Sequence, residues 1–422
     1  AREAQRALAG SAYPATDVWS YDGSIPGPLL RYRQGDRLRV VLENTLPDAT
    51  TVHFHGIRLP NAMDGVPHLT QPPIEPGARF VYEFDLPDAG TYWYHPHLGS
   101  PEQVGRGLSG ALIIDEAEPV AVDRELVWVL SDWRLDREAR IVGDFENFMD
   151  ASHAGRIGNT VTVNGEVRES VEVAPGERLR LRLINASNAR IYGLDFRGHA
   201  PVVIAYDGHP VAPHAPEGGR VVLGPAMRAD LILDMTGAPG TRHPVVDDFY
   251  ARMAYRLLDL RYADAPRRGR AGAPLPRLAP NPVAEPVLER AERHRIVFGG
   301  GMMGRMPRLA SMRGMAWTVN GEPIKAHDAE PILALERGRS VVLELVNDTL
   351  WPHPIHLHGH VFRVLSRDGR PTAHREWRDT VLLAPRERAE IAFVADNPGG
   401  WMFHCHILEH QATGMMAVIR VA

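Results

Sequence analysis

The sequence contains one cysteine, one lysine and no long apolar run, and these scarcities exclude several kinds of protein. The single thiol, Cys405, excludes an intramolecular disulfide framework, so the fold must depend on packed cores. No segment approaches the ~18 consecutive apolar residues of a membrane span. The net charge is only -5, and no acidic or basic tail favours a nucleic-acid partner. These features predict a globular protein of two or three domains.

Three segments of the chain repeat one pattern, in which a D-G or N-G turn signal precedes an alternating strand. The segments are WSYDGSIPGPLLRYRQGDRLRVVLEN, VTVNGEVRESVEVAPGERLRLRLIN and WTVNGEPIKAHDAEPILALERGRSVVLELVN, and they end at Asn44, Asn185 and Asn347. Each segment predicts the start of an antiparallel β domain, and their spacing is the size of a Greek-key sandwich or barrel. We therefore expect an all-β chain of three related domains.

The predicted domains are separated by changes in composition. We place domain 1 at residues 1–118, domain 2 at 119–265, a connector at 266–289 and domain 3 at 290–422. The connector holds six prolines, from Pro266 to Pro286. This content is typical of an extended segment rather than of packed structure.

Domains 1 and 3 have histidines at positions where domain 2 has apolar residues. The positions nine and eleven residues after the final asparagine hold His53 and His55 in domain 1, His356 and His358 in domain 3, and Leu194 and Phe196 in domain 2. Successive side chains of a strand alternate between faces, so an H-x-H pair points both imidazoles the same way. The middle domain is therefore predicted to lack this pair.

A second set of pairs lies at the ends of the outer domains. DAGTYWYHPHLGS in domain 1 parallels NPGGWMFHCHILE in domain 3, which places His95 and His97 opposite His404 and His406. One H-x-H pair alone is a weak signal, because exposed histidines occur by chance. Four pairs at equivalent positions predict a metal centre between the two domains.

The residues around Cys405 indicate which metal is bound. Imidazoles alone suit zinc, copper, iron and nickel, and the lack of carboxylates disfavours magnesium, calcium and manganese. His353, His410 and Met415 add two imidazoles and a thioether to the thiol, and this set is that of a blue-copper electron-transfer site. Met416 is the alternative axial ligand, but the spacing from the cysteine favours Met415.

The motifs HFHG, HPHLGS, HPIHLHGH and HCHILEHQATGM together resemble those of the multicopper oxidases, especially the three-domain bacterial laccases and cuprous oxidases. The resemblance covers nearly the whole chain and implies three cupredoxin-like domains that hold four copper ions. It implies these ligands: His353, Cys405, His410 and axial Met415 for type 1; His53 and His356 for type 2; His55, His95 and His406 for one type 3 ion; and His97, His358 and His404 for the other.

The resemblance also implies a reaction. A laccase couples one-electron oxidation of phenolic or aromatic amine donors to the four-electron reduction of dioxygen to water, and an acid must supply protons. Asp64 matches a family acid near the type 2 copper, although a turn aspartate before Gly65 is the alternative interpretation. Many bacterial relatives have a glutamate where this chain has Gln411, which puts the usual proton route in doubt. Glu409 is a nearby candidate.

A methionine-rich run supports an alternative donor. The run GGGMMGRMPRLASMRGMAW contains Met302, Met303, Met306, Met312 and Met315. Thioethers favour Cu(I), and the run resembles the loops that cover the type 1 site of cuprous oxidases, while a plain flexible cover is the other interpretation. The cuprous oxidases have an acid and a methionine where this chain has Thr349 and Trp351, and only Asp348 lies close by. We therefore favour the laccase reaction, with Cu(I) oxidation as the alternative or as a second activity.

Two hypotheses of another class are a copper-storage or copper-carrying module and a non-catalytic interaction protein. Missing ligands would mark the latter, and none is missing; a carrier does not need a blue site joined to a histidine cluster. From the family we expect an exported monomer, periplasmic or extracellular, whose partners are dioxygen and the donor. The N-terminal AREAQRALAG has no apolar h-region, which leaves open whether an export signal never existed or was removed.

Overall fold

Strands dominate the protein, so the predicted all-β fold class is confirmed, and the strands form cupredoxin-like units. The computed structural model describes residues 1–145, 147–266, 268–302, 314–324 and 330–422. The helices of these residues are short: α1 Ser100–Gly105, α2 Phe148–Ser152, α3 Leu408–Ala412, and 3-10 turns at Asn61–Met63, Glu217–Gly219, Ala251–Met253 and Leu288–Arg290. Within the described ranges, no helix is long and apolar enough to cross a membrane.

The first unit is a sandwich of a four-stranded sheet, in the order β3-β8-β7-β5, and a two-stranded antiparallel sheet, β4-β6. Its strands are β1 Arg2–Arg6, β2 Thr16–Ser20, β3 Gly27–Arg33, β4 Arg37–Glu43, β5 His53–His55, β6 Arg79–Asp85, β7 Gly90–His95 and β8 Gly110–Asp115. The predicted alternation is seen in β4, where Leu38 and Leu42 are buried between more exposed residues. This period of two gives the unit one apolar face.

The second unit packs a six-stranded sheet, β10-β9-β12-β17-β14-β15, on a five-stranded one, β11-β19-β18-β13-β16. Its strands are β9 Arg124–Trp133, β10 Thr160–Val163, β11 Ser170–Val173, β12 Arg178–Asn185, β13 Tyr192–Phe196, β14 Val202–Tyr206, β15 His209–His214, β16 Val221–Leu223, β17 Arg228–Asp234, β18 Arg242–Asp247 and β19 Tyr255–Tyr262. Leu194 and Phe196, at the positions of the ligand pair, pack in the apolar core of this unit.

Strand β12 differs from its sequence pattern, because its arginine face is buried as well as its leucine face. Arg180 donates to Glu116 (2.6 Å) and to Asp230 (2.7 Å), and Arg182 donates to Asp230 (3.0 Å). Arg182 also lies 2.9 Å from Glu125. Buried charges require such partners. The alternation of arginine and leucine in this strand is typical of a solvent-exposed face in a sequence. Here the arginine face lies instead at the contact between the first and second units.

The third unit packs a seven-stranded sheet, β21-β20-β23-β29-β25-β26 with β27 beside β25, on a five-stranded one, β22-β31-β30-β24-β28. Its strands are β20 Glu292–Gly300, β21 Trp317–Val319, β22 Leu333–Leu335, β23 Ser340–Asn347, β24 His353–Leu357, β25 Phe362–Arg367, β26 Arg370–Pro371, β27 Trp377–Arg378, β28 Thr380–Leu383, β29 Arg388–Val394, β30 Gly399–Cys405 and β31 Met416–Val421. The core of this sandwich includes Cys405 and Met415.

The asparagine that ends each repeat holds the following loop in the same way. Its side-chain amide donates to two main-chain carbonyls, and its Oδ1 accepts the main-chain N–H two residues further on. The carbonyls belong to Asp48 and Ile74 for Asn44, to Arg190 and Leu223 for Asn185, and to Trp351 and Ala384 for Asn347. The N–H groups belong to Leu46, Ser187 and Thr349. These bonds fix the loop that leads to each ligand position.

Candidate metal centres

The four histidine pairs lie on strands, or at the ends of strands, that meet between the first and third units. β5 pairs with β7, which sets His53 opposite His95, and β24 pairs with β30, which sets His356 opposite His404. The alternation of each strand turns both imidazoles of a pair to the same side. All eight rings are buried: His53, His55, His95, His97, His356, His358, His404 and His406.

The eight imidazoles form one continuous cluster. Three sets each have ring nitrogens within 4.8 Å of one another: His53, His55 and His356; His53, His97 and His358; His55, His95 and His406. The remaining ring joins through His358, since Nε2 of His404 lies 3.1 Å from Nε2 of His358. The ring centroids of His97 and His404 are 5.2 Å apart. All the histidines predicted to hold the type 2 and type 3 ions are therefore in one place.

The hydrogen bonds of His358 and His404 leave two unprotonated nitrogens facing each other. His358 donates from Nδ1 to Oδ2 of Asp64 (2.9 Å), and His404 donates from Nδ1 to the carbonyl of Cys405 (2.9 Å). Burial lowers the pKa of both imidazoles well below the usual value, so both rings are neutral. Each Nε2 then carries a lone pair, and the two nitrogen atoms are 3.1 Å apart. Such a contact is repulsive unless a cation lies beside both nitrogens.

Other nitrogens of the cluster are buried and have no hydrogen-bond partner in the part of the chain that the structure describes. They are Nε2 of His53, Nδ1 of His55, both nitrogens of His97, Nε2 of His356 and Nδ1 of His406. Unpaired buried polar groups are rare because each loses its hydration without compensation. Buried imidazole nitrogens suit copper, so the residues fit the implied ions.

A second centre lies around Cys405. Nδ1 of His353 lies 3.5 Å from its Sγ, Nδ1 of His410 lies 3.7 Å from it, and the two nitrogens are 3.1 Å apart. The other nitrogen of each ring is engaged: Nε2 of His410 donates to the carbonyl of His153 (2.8 Å), and Nε2 of His353 lies 2.8 Å from Oγ1 of Thr349. The Thr349 hydroxyl itself donates to Oδ1 of Asn347 (2.7 Å) and so accepts from His353. Both Nδ1 lone pairs therefore point at the sulfur.

The protonation of this second centre also fits a soft metal ion. Burial raises the pKa of the Cys405 thiol, lowers the pKa of His410 to about 3 and lowers the pKa of His353 well below its usual value. The site therefore holds two neutral imidazoles and a thiol that ionises only beside a cation. Two imidazoles and one thiolate are the ligands of a blue copper ion.

Met415 and Met416 point in opposite directions. Met416 pairs with His404 across β30 and β31, so the two side chains share a face, and Met416 packs with Val66 and Met402. Met415 is fully buried in the same apolar cluster as Cys405, and its carbonyl accepts the N–H of Cys405 (3.0 Å). The geometry favours Met415 as the residue beside the sulfur.

Asp64 contacts the cluster through both its main chain and its side chain. Its carbonyl accepts Nδ1–H of His53 (2.7 Å), and its Oδ2 accepts Nδ1–H of His358 (2.9 Å). The following Gly65 has φ +80°, and a Cβ there would lie 1.9 Å from the carbonyl oxygen of Val52. The D-G pair makes a turn that only glycine permits, and this turn sends the carboxylate inward. The role of Asp64 as a proton-supplying acid stays a prediction.

Asp379 contacts the cluster and was missed by the sequence analysis. It is fully buried, its Oδ1 lies 3.0 Å from Nε2 of His55, and its carbonyl accepts Nδ1–H of His356 (2.8 Å). Burial favours the neutral acid, but Arg228 and the histidines outweigh it and hold the pKa of Asp379 well below its usual value. A single acid more than three hundred residues from His55 has no spacing signal in the sequence.

Glu409 and Gln411 lie on α3, next to the thiol centre. The Glu409 carboxylate accepts the main-chain N–H of Arg156 (3.1 Å) and the side-chain amide of Asn188 (3.0 Å), and burial raises its pKa. It is therefore directed at the second unit. Gln411 is buried, and its Oε1 has no hydrogen-bond partner among the described residues.

The predicted methionine loop is only partly described. Met303, Met306 and Met312 lie outside the described residues. Met302 is 39% exposed, and its N–H donates to the carbonyl of Ser152 at the end of α2, whereas Met315 is buried. The carboxylate of Asp348 is paired with Arg386.

Comparison with known proteins agrees with the fold. Multicopper oxidase family models match residues 4–119, 124–251 and 304–422. Multicopper oxidase MmcO of Mycobacterium tuberculosis is 32% identical, over 95% of this chain and 82% of the relative. A copper resistance protein A homolog of Pseudomonas syringae pv. tomato is 27% identical, over 99% of this chain and 91% of the relative.

Among solved structures, a multi-copper oxidase from Pseudomonas thermotolerans has a TM-score of 0.88 and 38% identity, over 100% of this chain and 97% of that one. The three family matches together cover most of the chain. The chain belongs to the multicopper oxidase family, and it is a copper-dependent oxidoreductase of the three-domain bacterial type.

Proposed function

We propose that the protein is a laccase-like oxidase that couples one-electron oxidation of phenolic or aromatic amine donors to reduction of dioxygen to water. His353, Cys405, His410 and Met415 would hold the type 1 copper, His53 and His356 the type 2 copper, and the other six histidines the type 3 pair. When bound, these ions collect electrons singly from the donor and pass four of them to dioxygen.

The position of Cys405 between two cluster histidines is the observation that carries this proposal. Its Sγ faces His353 and His410, while His404 and His406 on either side of it face the cluster. One residue of main chain therefore joins the thiol centre to the histidine cluster. A storage or carrier protein does not need this link.

The residues over the thiol centre form an aromatic and apolar surface. The main-chain carbonyl of His153 orients His410, and the His153 ring lies 5.3 Å from that of Trp351 in an edge-on contact. Leu350 next to it is 45% exposed. Aromatic rings stack well on such a surface, which supports a phenolic donor.

Copper content and reaction stoichiometry test the proposed function. We expect protein produced with copper to hold about four ions per chain, to be blue, and to oxidise about four phenolic molecules per dioxygen without releasing peroxide. Metal analysis, absorbance and an oxygen electrode measure these quantities. One or two ions per chain, or peroxide as the product, would contradict the proposal.

Oxidation of Cu(I) is a second candidate function, favoured by two exposed methionines near the type 1 site. Met149 is 56% exposed on α2, and the N–H of Met302, itself 39% exposed, donates to Ser152 at the end of the same helix. His410 is oriented by His153, the next residue. Exposed thioethers on or bonded to the helix that precedes His153 suit Cu(I) as a donor.

Replacing both methionines tests the Cu(I) reaction separately from the laccase reaction. For Met149→Leu with Met302→Leu, we expect kcat/KM for Cu(I) to fall about 10-fold, because leucine keeps the volume but has no sulfur, while kcat/KM for a phenol stays within about twofold. Met253→Leu is the control, since Met253 is 54% exposed on another element. Equal loss for both donors would argue against a thioether site.

A further inference from the structure

Arg228 is the one arginine of three equivalent positions that is buried. Each unit has an arginine at the start of the strand that pairs with the end of its repeat, namely Arg79 in β6, Arg228 in β17 and Arg388 in β29. Their cross-strand partners are Glu43, Ile184 and Val346, each of which directly precedes the repeat's asparagine. Arg79 and Arg388 are exposed, whereas Arg228 is 0% exposed. The repeated strand pairing therefore does not require this arginine to be buried.

The guanidinium of Arg228 contacts all three units. Its Nε donates to the carbonyl of Thr91 on β7 in the first unit (3.1 Å), and one Nη donates to Ala226 in its own unit (3.2 Å). The two Nη atoms also donate to the two oxygens of Asp379 in the third unit, at 2.9 and 2.6 Å. Such a two-point bond fixes the direction as well as the position of the carboxylate.

Asp379, held in place by Arg228, orients two histidines of the cluster. Its Oδ1 accepts Nε2–H of His55 (3.0 Å), which leaves Nδ1 of His55 as the unprotonated nitrogen inside the cluster. Its carbonyl accepts Nδ1–H of His356 (2.8 Å), which leaves Nε2 of that ring unprotonated. One residue therefore selects the tautomers of a histidine from the first unit and a histidine from the third.

The glycine of the HFHG motif leaves room for this contact. At Gly56, φ is +85°, and a Cβ would lie 2.4 Å from an Nη atom of Arg228 and 2.4 Å from Oδ2 of Asp379. Asp207 supports the other side, since its Oδ1 accepts the main-chain N–H of Arg228 (2.8 Å). The arginine and the carboxylate are thus enclosed from both sides.

We propose that the middle unit, which supplies no copper ligand, completes the trinuclear site through Arg228, a positioning residue that fixes Asp379 and through it His55 and His356. This inference rests on the proposed function. Lysine at this position has one ammonium group and cannot match both carboxylate oxygens and the Thr91 carbonyl at once. The planar fork of arginine is therefore required for the alignment.

Variants of Arg228 test the proposal in the copper-loaded protein. For Arg228→Lys and Arg228→Met we expect a loss of about 10- to 100-fold in trinuclear copper affinity or in reoxidation by dioxygen, the usual effect of removing a group that orients metal ligands. We also expect an altered type 2 EPR signal. The blue absorbance and the rate of type 1 reduction by a phenol should be unchanged, because Arg228 touches no residue of the thiol centre.

Arg178→Met is the matched control. Arg178 lies at the opposite end of the same strand pair, is also buried, and makes an equivalent two-point bond to Asp234. We expect this variant to lose stability without any change in the type 2 signal. The proposal is overturned if the Arg228 variants keep full copper content and an unchanged signal, or if Arg178→Met reproduces their effect.

The same set of proteins separates this inference from the proposed function. A wild-type protein that binds no copper cluster would defeat the proposed function itself, whereas normal wild-type behaviour with silent Arg228 variants would defeat only the role of Arg228. If Arg228→Met does not fold, the proposal is tested by the copper content and type 2 signal of Arg228→Lys, which keeps the positive charge. Far-UV circular dichroism and Tm establish which variants are folded.

Discussion

Cys405→Ser is expected to remove the blue colour and to slow donor-dependent oxygen consumption at least about 1,000-fold, equivalent to about 4 kcal/mol of barrier. The hydroxyl fits the fully buried position, but it does not ionise as a thiol does beside a metal ion. The substitution therefore removes the soft ligand and the start of the path to His404 and His406. Visible absorbance and an oxygen electrode measure both effects.

Phe403→Leu provides the control for Cys405→Ser. Phe403 is also fully buried and lies two residues earlier on β30, so it shares the face of Cys405. We expect this variant to lose stability by about 1 kcal/mol, as for other reductions of a buried side chain, and to keep its colour. A Cys405→Ser protein that still reduced dioxygen with a phenol at the wild-type rate would refute the proposed mechanism.

Asp64→Asn is expected to give the second-largest effect, a fall of about 100-fold in kcat with the blue colour kept. An asparagine oxygen still accepts from His358, so the ring stays in place, but the amide does not transfer a proton. General acids contribute about 100- to 10,000-fold. Stopped-flow measurements should show normal reduction of the type 1 site by donor and slow reoxidation by dioxygen.

Asp88→Asn is the matching control for Asp64→Asn. Asp88 is another buried aspartate of the first unit, and its carboxylate is bound by Arg58 at 2.7 and 2.8 Å. Loss of that ion pair should lower Tm but leave unchanged the ratio of two rates, the reduction of the type 1 site by donor and its reoxidation by dioxygen. If Asp64→Asn slowed reduction and reoxidation equally, the carboxylate would have a structural role rather than a proton-transfer role.

Strand alternation explains why the sequence predicted so much of the two centres. His53 and His55 belong to one strand, and His356 lies on a strand that ends just before His358, so a period of two is visible in the letters themselves. The all-β class also followed from local patterns, because each repeat has its own turn and strand. The grouping of the eight histidines around particular ions came from the family resemblance.

Asp379 and Arg228 could not be predicted, because their function depends on contacts between distant parts of the chain. Arg228 begins a strand, as Arg79 and Arg388 do, and in a sequence such a residue is typical of a solvated strand end. Only the packing of the three units distinguishes it from the other two. The burial of the arginine face of β12 has the same cause. Contacts between units are therefore the main feature of the structure that local sequence patterns do not predict.

Half of the ligand histidines are oriented by main-chain carbonyl groups rather than by side chains. The carbonyls of Asp64, Pro96, Asp379, Cys405 and His153 accept from His53, His95, His356, His404 and His410. A point mutation at a residue such as His153 changes the side chain but not the carbonyl. The bonds from Pro96 and His153 are therefore tolerant of substitution at those two residues, and divergent descendants of this protein can keep the same tautomers of His95 and His410 while these side chains vary.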